Sequence, residues 1–145
     1  MGSRKAKNIS PNLCNESKFT SGSRTKILIV DDNKGQAVIG QMMLEAEGHE
    51  VRTATNGNEG CLAYLFFRPD LVITDLQMPD KDGPEMMKYI RALNPEIKTI
   101  YMSADFSRYG SVLEDEKERY GVGILKKPFS KMELVRLVSK GRVVA

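Results

Sequence analysis

The 145-residue chain has no tryptophan, one histidine and two cysteines. Each shortage closes off a class of chemistry. A lone histidine, His49, excludes a histidine-based metal centre and an internal phosphohistidine relay, and it reads as a surface residue. Cys14 and Cys61 match neither disulfide nor metal-ligand spacing, which points to a reducing cytoplasm. No apolar run is long enough to span a bilayer, and the opening residues lack the continuous apolar core of a signal peptide. Ala6 stands where an acylation signal at Gly2 wants Ser or Thr, so myristoylation is not expected. A large excess of one charge is also missing: 22 Lys and Arg face 19 Asp and Glu, a formal net charge of +3. Residues 1–25 hold five of the basic groups (Arg4, Lys5, Lys7, Lys18, Arg24) and one acid, Glu16. The remainder is near neutral, so no direct nucleic-acid partner and no membrane contact are expected.

The length fits one domain with a proper core. Residues 1–25, rich in Ser, Asn, Lys and Gly, bury too little apolar surface to offset the entropy of ordering them and read as a flexible basic tail. Residues 26–140 form the folded domain. The C-terminal end, 141–145, leaves no room for an effector domain.

From Lys26 onward strand-like and helix-like stretches alternate. Leu71-Val72-Ile73-Thr74-Asp75 is a short apolar run with a β-branched centre, bounded by Pro69-Asp70 and Pro79-Asp80, and reads as a fully buried strand. Lys26–Val30, His49–Ala54, Ile97–Met102 and Val122–Lys126 supply four more strands. Asn33 is placed to cap a helix with Val38, Ile39, Met42, Met43 and Ala46 at helical spacing, ended by Gly48. Asn56-Gly57 opens a helix with Leu62, Leu65 and Phe66 expected inward. A third helix carries Met86, Met87, Ile90 and Leu93 on one face. Phe106–Tyr120 is expected to be helical with one strongly solvated face, because acids crowd Glu114 to Glu118. Ser130 and Glu133 form a capping-box pair opening a last helix with Leu134, Leu137 and Val138 inward. The Met residues at 42, 43, 86, 87 and 102 read as core filler. Five strand–helix units with right-handed crossovers predict an α/β three-layer sandwich: a five-stranded parallel sheet of flavodoxin-like order 2-1-3-4-5.

In such a sheet chemistry gathers beyond the carboxyl ends of the strands, at the switch point between the first and third. Asp31 and Asp32 end the first strand there, Asp75 ends the third, and Lys127 follows the fifth. Crowded carboxylates repel one another unless a cation sits among them, and a hard, oxygen-seeking divalent ion, Mg²⁺ foremost, answers that need.

Ile27-Leu28-Ile29-Val30-Asp31-Asp32, Thr74-Asp75-Leu76-Gln77-Met78-Pro79 with Asp82-Gly83, Met102-Ser103-Ala104 and Leu125-Lys126-Lys127-Pro128-Phe129 together resemble the receiver domain of two-component response regulators. Alone, each fragment reads as a capping, turn or strand-edge residue. All four in order, each at a strand end, carry the resemblance over roughly residues 26–140. It implies that Asp75 accepts a phosphoryl group from a sensor histidine kinase or phosphotransfer protein. It implies Mg²⁺ bound by Asp32, Asp75 and the Gln77 backbone carbonyl, with Asp31 acting largely through water. Ser103 would hydrogen-bond one phosphoryl oxygen and Lys127 would pair with another, after a cis Lys127-Pro128 peptide. The domain would signal to a downstream effector rather than act as an enzyme, and a homodimer through the fourth helix, fifth strand and fifth helix is a further implication. Gln77 and Asp105 occupy positions that set acyl-phosphate lifetime. One departure stands out: Ile124 occupies the place commonly held by a Tyr or Phe rotamer switch. Two rival readings are an Asp-based phosphatase on a similar fold, which wants a second acid where Gln77 stands, and a degenerate receiver used only for protein binding.

Overall fold

The structure, a computed structural model, describes residues 24–143. The expectations for residues 1–23 and 144–145 lie outside the described residues. Strands β1 (Lys26–Val30), β2 (Glu50–Ala54), β3 (Leu71–Asp75), β4 (Lys98–Ser103) and β5 (Gly123–Lys126) alternate with helices α1 (Lys34–Glu45), α2 (Gly57–Phe67), α3 (Gly83–Leu93), α4 (Gly110–Tyr120) and α5 (Lys131–Val143). The strands are parallel in the order β2-β1-β3-β4-β5, the flavodoxin-like order expected. All five residues of β3 are buried, as a central strand covered on both faces requires. Alternation along β1 feeds two cores. Leu28 and Val30 pack with Met86, Met87 and Ile90 of α3, whereas Ile27 and Ile29 pack with Leu44 of α1 and Leu134 and Val138 of α5.

Local chemistry sets the helix starts. Asn33, Asn56 and Asp82 each accept a hydrogen bond from a backbone N–H in the first turn of the following helix. Ser130 and Glu133 satisfy each other's backbone donors at the start of α5, the reciprocal capping expected. Gly48, at φ +93°, turns the chain from α1 into β2, a conformation that a side chain would strain.

The helix faces depart from expectation in α1 and α2. In α1 the buried residues are Ala37, Gly40 and Leu44, while Val38, Ile39 and Met42 are exposed. In α2 Leu62, Leu65 and Phe66 point outward, and Gly57, Gly60, Tyr64 and Phe67 are buried. Close approach decides both cases. A Cβ on Gly60 would collide with Met86 Sδ, and one on Gly40 would lie 3.2 Å from Ile29 Cδ1, so the glycine faces are the ones that let each helix reach its neighbours. Met86, Met87, Ile90 and Met102 are core residues as expected, but Met42 and Leu93 are exposed. His49 is buried rather than at the surface, because its Nδ1 accepts the backbone N–H of Thr25 at 3.1 Å.

The solvated face expected of α4 has a hole in it. Glu116 is buried, its carboxylate forked by the Arg91 guanidinium (2.8 and 3.1 Å) and accepting the Tyr101 hydroxyl at 2.7 Å. Leu113 and Glu116 are the two buried residues of α4, so one of them is held by a charged network across α3, β4 and α4.

Candidate functional site

Strand register brings the candidate residues together. Val30 lies beside Thr74 in the β1–β3 pairing, so the next residue on each strand, Asp31 and Asp75, emerge side by side at the carboxyl rim. Asp75 is level with Met102 and Ser103 with Lys126, which puts Ser103 and Lys127 one step beyond the acid on the other flank.

Asp31 and Asp75 are buried and Asp32 is exposed at the rim. One carboxylate oxygen from each can be chosen so that all three lie within 4.8 Å of one another. The Lys127 ammonium closes the cluster, 2.6 Å from Asp75 Oδ1 and 3.0 Å from Asp31 Oδ2. The other oxygen of Asp31 accepts the Asn33 N–H at 2.9 Å, which turns the carboxylate toward Lys127. Three acids and one base leave an excess of negative charge in a half-buried hollow. Burial, reinforced by Asp31 alongside, pushes Asp75 from its ordinary value up to about 7 against the opposing pull of Lys127. Burial alone would lower Lys127, but its bonds to Asp75 and Asp31 outweigh that and hold it above the ordinary lysine value. The donor set is all oxygen, so the trio can hold a hard divalent metal.

The remaining expected residues sit nearby in different states. Ser103 is turned into its own loop: its hydroxyl donates to the Asp105 carbonyl at 2.8 Å and accepts the Asp105 N–H at 3.0 Å. Asp105 in turn accepts the Ser107 N–H through its side chain. Gln77 is exposed in the loop two residues after Asp75. The Lys127-Pro128 peptide is cis, as the resemblance implied. Ile124 lies beside Tyr101 in the β4–β5 register and packs at the edge of the core.

Two contributors escape a reading of the sequence. Gln36, on the first turn of α1, accepts a hydrogen bond from Lys127 Nζ through Oε1 at 2.9 Å. Nothing in a solvent-facing helix amide signals that. Gly83 donates its N–H to the Leu76 carbonyl at 2.8 Å, and a Cβ there would strike the Asp75 carbonyl oxygen. Its place after Asp82 hints at a helix start, not at support for the acid. Beside the cluster a mainly apolar cavity of about 440 Å³ runs between α1 and the loop after β5, lined by Ile39, Met43, Phe129 and Leu134 along with Lys127.

The sequence profile of the response regulator receiver domain matches residues 27–139, nearly everything described above. The chain belongs to that family. This receiver is similar to sporulation initiation phosphotransferase F of Bacillus subtilis, 32% identical over 117 residues that cover 79% of this chain and 91% of that protein. It is also similar to the DNA-binding transcriptional regulator NtrC of Azospirillum brasilense, 33% identical over 81% of this chain but only 24% of the regulator. The receiver thus spans most of one curated relative and about a quarter of another. Among solved structures it resembles the chemotaxis protein CheY4 of Vibrio cholerae, with a TM-score of 0.74, 26% identity, and 81% of this chain and 98% of that one covered. Among the described residues, no helix is long and apolar enough to cross a membrane.

Proposed function

We propose that this receiver accepts a phosphoryl group on Asp75 from a phosphohistidine of a sensor histidine kinase or phosphotransfer protein, with Mg²⁺, and relays the change to a downstream effector in the cytoplasm. The observation that carries the reading is the cluster itself: three carboxylates within 4.8 Å and one ammonium bonded to two of them. Asp31, Asp32, Asp75 and the Gln77 backbone carbonyl would hold the metal. When bound, Mg²⁺ supplies positive charge against the phosphoryl oxygens and keeps Asp75 ionised. The chain's own groups do the rest. An Asp75 oxygen attacks phosphorus, the P–N bond breaks, and the imidazole nitrogen leaves with the electron pair, giving an acyl phosphate. Lys127, already drawn between Asp31 and Asp75, turns to pair with a phosphoryl oxygen. Ser103 exchanges its bonds to Asp105 for another. The exposed Ile39 of α1, which lines the apolar cavity, with exposed Met42 three residues on, offers the donor protein a landing next to the acceptor.

Incubation with Mg²⁺ and acetyl phosphate tests this. One phosphoryl group per chain, labile to hydroxylamine and absent from Asp75→Asn, is expected. Labelling of the variant at the parental rate would refute the assignment. Rapid turnover of assorted phosphoesters would favour a phosphatase, and no response to metal or phosphodonor a binding module.

A further inference from the structure

A second group of exposed apolar side chains, besides Val38, Ile39 and Met42 of α1, lies away from the carboxylates along the seam where α2 packs on α3. Leu62, Leu65 and Phe66 fall at i, i+3 and i+4 on α2 and share one stripe, with Phe66 83% exposed. Phe67 lies under Lys26 and Arg52 on the β1–β2 side, so Leu65, two residues earlier and about 200° around the helix, faces the opposite flank, toward α3. On α3, Tyr89 and Leu93 follow Met86 by three and seven residues, and Met86 is the side chain seated against Gly60 of α2. They therefore run along the flank of α3 turned to α2. Lys81 ties the two sides together: it packs on Gly57 at the start of α2, and its ammonium is 4.1 Å from the centroid of the Tyr89 ring. These five side chains are more than 40% exposed. Together they present on the order of 500 Å² of apolar surface, at the upper end of what a monomer leaves open.

Charge along α2 is arranged by sign on the same axis: exposed Glu59 lies in its first turn and exposed Arg68 at its end, while on α3 exposed Glu85 and Lys88 stand one turn apart. The two helices run the same way, each following a strand of one parallel sheet. A second copy related by a two-fold axis perpendicular to the helices would lay its helices antiparallel, setting Glu59 of one α2 toward Arg68 of the other while the apolar stripes meet. Two such stripes bury on the order of 1,000 Å² before any rim is counted, the size at which a specific interface becomes self-sustaining. By contrast, the exposed large apolar residues of α4 are Val112 and Tyr120, each 40% exposed, and the Tyr120 ring is covered by the Arg91 guanidinium.

We propose that the α2–α3 face is the interface of a symmetric dimer of this chain, formed independently of the chemistry at Asp75. Sedimentation equilibrium of the full chain tests it. A reversible dimer with a dissociation constant in the micromolar range is expected, unchanged in Asp75→Asn and unchanged by Mg²⁺ with acetyl phosphate. Phe66→Asp on one helix and Tyr89→Glu on the other, both at exposed positions, each weaken it at least about tenfold with the circular dichroism spectrum intact. Glu85→Lys and Lys88→Glu each weaken self-association, while a mixture of the two proteins forms heterodimers, because an α3 rim carrying two bases then meets one carrying two acids. A full chain that stays monomeric at about 200 μM overturns the proposal. So does a dimer indifferent to Phe66→Asp and Tyr89→Glu, or one that forms only with phosphodonor. A dimer appearing only after removal of residues 1–23 overturns it as well, by identifying that segment as the cover of the patch.

Discussion

Replacing Glu116 by alanine strips the Arg91 guanidinium of its counter-charge inside the α3–α4 seam. Arg91 is 7% exposed, its Nε already lacks a partner, and after the substitution its remaining hydrogen bond is a long one to Thr99 Oγ1 at 3.4 Å. The Tyr120 ring, 3.7 Å from the guanidinium carbon, offers a cation–π contact but no acceptor. Breaking a buried pair from one side costs about 3–5 kcal/mol, since the surviving charge stays desolvated. The Tyr101 hydroxyl, fully buried on β4, loses its acceptor as well, for about 1–2 kcal/mol more, part of which water entering the vacated space returns. A net loss of about 4 kcal/mol is about a quarter or more of the stability of a domain this size, and lowers the urea midpoint by about 2 M at a slope of about 2 kcal/mol per M. Tyr101→Phe should cost about 1–2 kcal/mol, and the triple change Arg91→Met, Tyr101→Phe and Glu116→Leu should lie within about 1 kcal/mol of the parent, because it removes both charges and the hydroxyl they hold at once. Urea unfolding followed by circular dichroism reads all three. Glu114→Ala, at a carboxylate 80% exposed, is the control, expected within about 0.5 kcal/mol of the parent. A Glu116→Ala midpoint no lower than that control would refute the reasoning.

Three further outcomes follow from the site. With Asp75 held near pH 7, a proton competes with the metal: about ten in eleven copies carry it at pH 6 and about one in eleven at pH 8, so Mg²⁺ affinity by calorimetry should rise about tenfold between them. Because the folded value lies above the ordinary 3.8, metal-free stability falls as pH rises from about 4 to 7 and is level above; both trends should vanish in Asp75→Asn, and their persistence there would assign them elsewhere. Lys127→Met leaves Asp31 and Asp75 without their cation: metal-free stability should drop by about 1–3 kcal/mol and labelling by acetyl phosphate by at least about tenfold, and parental labelling would remove Lys127 from the chemistry. Gly83→Ala drives a methyl into the Asp75 carbonyl oxygen, and should cost about 1–3 kcal/mol and slow labelling; a neutral result would mean that the loop moves aside freely.

The strand ends were the legible part of this protein. Four apolar runs stopping at Asp31-Asp32, Asp75, Ser103 and Lys127 announce both a parallel sheet and its functional rim, because period, composition and terminating residue agree at each. The helix faces were harder for a specific reason. Leu62, Leu65 and Phe66 satisfy a helical period as well as Gly57, Gly60, Tyr64 and Phe67 do, and a pattern that counts apolar residues prefers the former. What decides is how near α2 must come to Met86 and Val30, a tertiary distance that no local window contains. Glu116 was hidden in the same way: among four other charged residues it looks solvated, and its partners stand 25 and 15 residues away on α3 and β4. Gln36 and His49 hide for want of any pattern, each being a polar side chain that meets a partner far off along the chain.

That buried triad also bears on how a change at Asp75 would travel. Ser103 and Tyr101 alternate on one side of β4, so the strand that leads to the acceptor loop is the strand whose tyrosine is bound to α4. If a phosphoryl group draws Ser103 off Asp105, it breaks two loop hydrogen bonds worth about 1 kcal/mol each, and the loop entering α4 is released. The clamp at Glu116 resists with several times that energy. The first turns of α4 would therefore yield while its second half stays pinned, and displacement would pivot near Glu116 instead of carrying the helix as a rigid rod. Ile124 would fit such an arrangement: with its β4 neighbour Tyr101 already hydrogen-bonded to Glu116 of α4, coupling of the rim to that helix would not depend on a rotating aromatic on β5.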